Sequence, residues 1–111
     1  MRILVIEPLE KPYIKKIDGI LESMQKIVGG LIQAIYPFDD SEIALVCNEE
    51  AKLIGLPLNR ALYDDKGQIY DIIAGTFFLC QAPADSENFE SLTDEQIKRY
   101  KEKYRCSEIY M

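Results

Sequence analysis

The sequence predicts an α+β fold, with a mainly antiparallel sheet and helices packed on one face. Strand-like runs follow one another with helical segments set between them, and two segments carry apolar residues at helical spacing with recognisable end signals. The chain has 111 residues without a repeat or a linker, so one domain is expected over residues 1–111. A chain of this length buries roughly two thirds of the surface it exposes when unfolded. The expected order is β-β-α-β-β-β-(short α)-β-α.

Arg2 to Glu7 opens with four consecutive aliphatics, Ile3 to Ile6, which leave no polar face and predict an interior strand. Tyr13 to Ile17 mixes strand formers with Lys15 and Lys16 and reads as an edge strand. Asp18 is placed as the N-cap of a helix in which Leu21, Met24, Val28 and Leu31 recur at helical spacing. Gly29-Gly30 ends that helix; phosphate-binding glycines stand before a helix, so this pair reads as a C-cap. Leu31 to Phe38 and Ile43 to Cys47 form a hairpin about Asp39-Asp40-Ser41-Glu42, whose acids lack the alternating spacing of a calcium loop.

Asn48-Glu49-Glu50-Ala51 reads as a reversal, Lys52 to Ile54 as a short returning strand, and Gly55 with Pro57 as a corner. Leu58, Ala61 and Leu62 then match i, i+3, i+4, a short helical turn. Asp64 to Gly67 is a second turn, and Ile69 to Cys80 is one long buried strand bent at Gly75. Thr93 with Gln96 spells a capping box and Leu92 with Ile97 a hydrophobic staple, opening a helix whose apolar stripe is Ile97, Tyr100 and Tyr104.

Composition excludes several chemistries. The chain has no histidine, which rules out Ser-His-Asp and Cys-His catalysis and any His-ligated metal. Cys47, Cys80 and Cys106 are widely spaced, with no C-x-x-C pair, and are expected to be free thiols rather than a disulfide framework or a zinc site. No cofactor and no metal is expected. The net charge of −6 opposes nucleic acid, whose phosphates are held by clustered Lys and Arg. An acidic span, 81–96, can face a basic protein or imitate DNA, though solvated surface is the commoner reason for such a balance. The apolar runs fall far short of the roughly 20 residues that span a bilayer, so no membrane is expected and the location is taken as cytoplasmic.

The corner from Asn48 to Asn59 gathers what binding chemistry the sequence offers. Asn48 and Asn59 can donate and accept, Glu49 and the cations Lys52 and Arg60 add charge, and backbone is exposed near Gly55. These five residues are the candidate binding site. The competing account is structural: the asparagines satisfy local backbone while Lys52 and Arg60 are solvated. Glu49-Glu50 and Asp64-Asp65 are the carboxylate pairs that could serve as acid and base, but adjacent acids on turns are ordinarily solvated.

Several spellings resemble a known family. They are Val28-Gly29-Gly30 followed by Ile32 to Tyr36, then Asn48-Glu49-Glu50, Lys52-Leu53, Gly55-Leu56-Pro57 and Asn59, and last Asp71 with Ile72-Ile73-Ala74-Gly75. The chain is similar in these to an uncharacterised family of small proteins, a catalogued domain of unknown function, carried mostly by phages and mobile elements of Gram-positive bacteria. It differs in having Ala51 where members often have Gly and Leu31 where they often have Tyr. The resemblance implies a phage or mobile-element context and supplies no activity and no catalytic residues. The expected function is therefore a non-catalytic interaction protein that binds and modulates a host protein. The alternatives are a binder of a small molecule, such as a nucleotide-type signal, and an enzyme using carboxylates.

Overall fold

The computed structural model of the chain describes residues 1–108. Five strands form the main sheet, in which every pairing is antiparallel: β1 (Arg2–Ile6), β2 (Tyr13–Lys16), β3 (Ile32–Ile35), β4 (Ile43–Asn48) and β7 (Phe77–Gln81). Their order is β2-β1-β7-β4-β3. The three interior strands are the uninterrupted apolar runs, and they are uninterrupted because both faces of the sheet are covered. Ile3 and Val5 of β1, Ala44 and Val46 of β4, and Phe78 and Cys80 of β7 pack on one face. Leu4, Ile6, Ile43, Leu45, Phe77 and Leu79 pack on the other. β2, with Lys15 and Lys16, is an exposed edge as its composition predicts.

The helices lie on opposite faces, not on one. α1 (Leu21–Val28) sends Met24 and Val28 into the first cluster, whereas α2 (Asp94–Lys103) sends Ile97 and Tyr100 into the second. A one-sided arrangement would have left half of each interior strand in water. The second face is also covered by a separate two-stranded sheet, β5 (Leu58–Tyr63) paired antiparallel with β6 (Ile69–Ala74).

Three expectations about this region are corrected. The segment expected as a short helical turn is β5: the i, i+3, i+4 spacing of Leu58, Ala61 and Leu62 arises because Asn59 to Leu62 are all buried, with a register shift between Leu58 and Arg60. Lys52 to Ile54 is not a strand but part of a run of turns. The long strand expected over Ile69 to Cys80 is two strands in two sheets. Gly75 makes the crossing: its φ is 76°, its N–H donates to Pro57 O at 2.7 Å, and a Cβ there would come within 2.8 Å of Leu56 Cδ1. The observed order is thus β-β-α-β-β-β-β-β-α.

Helix ends follow local chemistry. In α2, Thr93 Oγ1 accepts from Gln96 N–H at 3.1 Å while Gln96 Oε1 accepts from Thr93 N–H at 2.9 Å, the reciprocal capping box that the sequence spells. Leu92 and Ile97 are both buried in the adjoining core. The N-cap of α1 is Ile20, not Asp18. Asp18 Oδ1 instead accepts from Ile20 N–H at 3.1 Å, an Asx turn two residues on, and a hydrogen bond from Ser23 is the main reason its carboxyl sits below the usual range. Gly29 ends α1 in the left-handed conformation, and both its N–H and that of Gly30 donate to Gln25 O.

The turn at Asp39 to Glu42 joins β3 to β4 as expected; the expected turn at Asp64 to Gly67 instead closes a hairpin between β5 and β6, and in each an aspartate accepts backbone N–H groups, Asp40 from Glu42 and Asp64 from Lys66 and Gln68. The acidic span after β7 folds back on it, Gln81 and Glu90 exchanging backbone hydrogen bonds of 2.9 and 2.8 Å. No helix among the described residues is long and apolar enough to cross a membrane.

Candidate functional site

The corner begins at the end of β4. Asn48 is buried; its Nδ2 donates to Val28 O at 3.2 Å, and its Oδ1 accepts from Glu50 N–H at 2.8 Å. One side chain therefore ties the last turn of α1 to the first residues of the reversal. Gly30 is what admits it, because a Cβ at residue 30 would meet Asn48 Nδ2 at 2.9 Å. The backbone beyond Asn48 then coils through four bonds: Ala51 N–H to Asn48 O, Ile54 N–H to Glu50 O, Gly55 N–H to Lys52 O, and Leu56 N–H to Ala51 O. Ala51 faces inward and is buried. Leu53 and Ile54 face outward, 86% and 58% exposed.

Lys52 leans from this turn to β6, where Nζ bonds Asp71 Oδ1. That bond is the main cause holding the Asp71 carboxyl below the usual carboxylate range, and the Ile72 N–H contributes in the same direction. Between the turn and β6 lies a cleft of about 140 Å³ lined by Gln33, Cys47, Asn48, Lys52, Leu53 and Asp71, among others. Cys47 is its nucleophilic group, but burial pushes the thiol up and the nearby Asp71 charge adds to that, outweighing Lys52. The thiol stays protonated at neutral pH and is a poor nucleophile. Among the described residues no group of three or more His, Cys, Asp or Glu side chains is gathered to hold a metal ion.

Asn59 and Arg60 are elsewhere. Both belong to β5 and are fully buried. Asn59 Nδ2 donates to Ile6 O at 2.8 Å and to Gly75 O at 2.9 Å, joining the end of β1 to the crossing between the sheets. Arg60 Nη2 donates to Glu10 O at 2.8 Å and to Tyr104 O at 3.0 Å, so the guanidinium fastens the β1–β2 connection to the end of α2. The five candidate residues thus divide. Asn48, Glu49 and Lys52 stay together at the turn, with Glu49 exposed, while Asn59 and Arg60 brace the interior. Neither sequence account foresaw a buried Arg60: one made it a ligand contact, the other a solvated cation.

Three further residues complete the corner: Leu53, Ile54 and Asp71. Two aliphatics between Lys52 and Gly55 are themselves a sign of an exposed apolar tip rather than of a strand. The family spelling includes Asp71, but no local spacing points to its pairing with Lys52, which spans 19 positions.

Fold and corner together define a small α+β protein whose two sheets are pinned by buried polar side chains and which presents an apolar-tipped turn held by four backbone hydrogen bonds. The chain belongs to the family described as a domain of unknown function (DUF3846), whose model matches residues 1–105. No curated protein and no solved structure matches it.

Proposed function

We propose that the chain is a non-catalytic interaction protein of phage or mobile-element origin that works in the cytoplasm by binding and modulating a host protein, with the 49–56 turn as its contact surface. The observation that carries this reading is the pair Leu53 and Ile54, 86% and 58% exposed on a turn held by four backbone bonds. Single exposed aliphatics are ordinary; two adjacent ones on a preorganised projection suit a partner's pocket, since little ordering entropy remains to be lost on binding. Burying one leucine side chain fully is worth roughly 1.5–3 kcal/mol. Glu49 and Lys52 flank the tip and supply the charged rim that sets partner choice.

Catalysis has little support. The chain lacks histidine, the Cys47 thiol is pushed up by burial, and the Asp71 carboxylate is engaged by Lys52. The second reading, a small-molecule binder, has one observation in its favour: the cleft of about 140 Å³ with Lys52 and Asp71 at its side.

Affinity capture from host lysate tests both readings. The wild-type chain should retain a protein that the Leu53→Asp/Ile54→Asp variant releases while keeping its thermal midpoint. Identical retention by both would remove the turn as the contact surface. A thermal shift produced by one metabolite class and lost in Lys52→Ala would instead favour the ligand.

A further inference from the structure

Each of the two sheets has two edges, and three of the four edges are blocked. On β2 the exposed Lys15 and Lys16 stand along the strand, and a second strand would have to desolvate them. On β5 the N–H of Ala61, directed away from β6, donates to Glu108 Oε1 at 3.1 Å. On β6 the outward N–H of Ile72 donates to Asp71 Oδ1 at 2.8 Å, with Lys52 over the same carboxylate.

The fourth edge, β3, has no such device. Leu31 to Tyr36 contains no charged residue and no proline, and Leu31 and Tyr36 at its ends are 53% and 54% exposed. Its register fixes which groups are unmet. Ile32 pairs with Asn48, and one step back Leu31 O accepts from Glu49 N–H at 2.9 Å. In an antiparallel ladder bonded pairs alternate, so Leu31, Gln33 and Ile35 bond toward β4 while Ile32 and Ala34 direct N–H and C=O outward. Among the described residues no hydrogen bond from outside the sheet reaches Ile32 or Ala34.

We infer that β3 is a self-pairing edge, and that two copies of the chain join antiparallel across a two-fold axis at Ala34. The strand is self-complementary about that point. Ala34 meets Ala34 of the second copy as a bonded pair, Ile32 meets Tyr36 twice, and Gln33 meets Ile35 twice. The smallest side chain of the strand falls on the axis, where a residue stands directly opposite its own copy and a larger side chain would meet itself. An aromatic ring beside a β-branched chain is a favourable cross-strand pair, and it covers the exposed Tyr36. The chain carries a net charge of −6, yet none of that charge lies on the strand, so repulsion acts only between the bodies of the two copies and weakens as salt is added. The result is a continuous ten-stranded sheet and an isologous dimer. This interface is separate from the Leu53 tip, and each stands without the other.

Sedimentation of the full chain over a rising concentration series should show a species approaching twice the chain mass of 12.8 kDa, more populated in added salt. Gln33→Lys/Tyr36→Lys should leave the thermal midpoint in place and the chain monomeric. In a Cys106→Ser background, Ala34→Cys should cross-link readily under mild oxidation, since bonded antiparallel pairs have Cα atoms about 5.5 Å apart, within disulfide reach. Ser41→Cys, away from the axis, should not. Amides of Ile32 and Ala34 should become protected from hydrogen exchange as concentration rises. A 12.8 kDa species throughout, a dimer that survives the double lysine variant, or equal cross-linking at both cysteines would overturn the proposal. So would protection of those amides only when a foreign strand is supplied, which would assign the edge to another protein.

Discussion

Arg60 Nη1 donates a 2.8 Å hydrogen bond to Oδ1 of Asn59, its neighbour in the chain, and both side chains are fully buried. The pair reaches five main-chain carbonyls between them, those of Ile6, Gly75, Glu10, Tyr104 and Asn59 itself, gathering β1, the sheet crossing, the first connection and the end of α2. Asn59→Ala strands two buried carbonyls and one guanidinium donor, and should lower stability by about 2–3 kcal/mol. Arg60→Leu should cost about 3 kcal/mol, since it leaves the Glu10 and Tyr104 carbonyls without that donor. Urea unfolding measures both; losses under about 0.5 kcal/mol, the size of an ordinary surface change, would deny the pair its bracing role.

Gly30 and Asn48 are coupled by contact. A methyl group at residue 30 pushes on Asn48 Nδ2, so Gly30→Ala should destabilise by about 1–3 kcal/mol in the wild type. In an Asn48→Ala background the obstruction is gone and the cost should fall by at least half. A double-mutant cycle reads this directly, and additive effects would contradict it.

The Lys52–Asp71 bond makes a small, pH-dependent contribution. Both side chains are substantially exposed, so Lys52→Ala should cost less than about 1 kcal/mol near neutral pH. The Asp71 carboxyl is held below its ordinary value of 3.8 in the folded state. Its contribution is therefore fully present above that value and disappears as pH falls through the lowered one. Urea midpoints of wild type and Lys52→Ala should differ near neutral pH and converge in strong acid; a gap that widens on acidification has the wrong sign.

Thr93→Ala removes one half of the α2 capping box and should cost about 1 kcal/mol. Gln96→Ala removes the other half, and the two losses should be less than additive because the bonds are reciprocal. Unchanged unfolding midpoints in both variants would show that α2 is held by Ile97 and Tyr100 alone.

What the sequence made legible was local. Ile3 to Ile6, the Gly29 cap, the two aspartate turns and the Thr93 box depend on residues within a few positions of one another, and each appears where its spelling puts it. The position of the helices was also written in the chain, but as a consequence of both-sided burial in three strands rather than of element order. The corner was legible only in half. Asn48 bonds Glu50 locally, whereas Arg60 bonds Glu10 and Tyr104, 50 and 44 positions away, and no spacing rule reaches that far. A lone arginine beside an asparagine reads as solvated until two distant carbonyls converge on it.

That division of the corner, bracing residues inside and an apolar tip outside, is the centre of the account. Titration calorimetry of the captured partner against wild type and the Leu53→Ala/Ile54→Ala variant tests it most directly. Binding should weaken by at least about tenfold, or about 1.4 kcal/mol, with the variant's thermal midpoint unchanged. Equal affinity for the two proteins would contradict it.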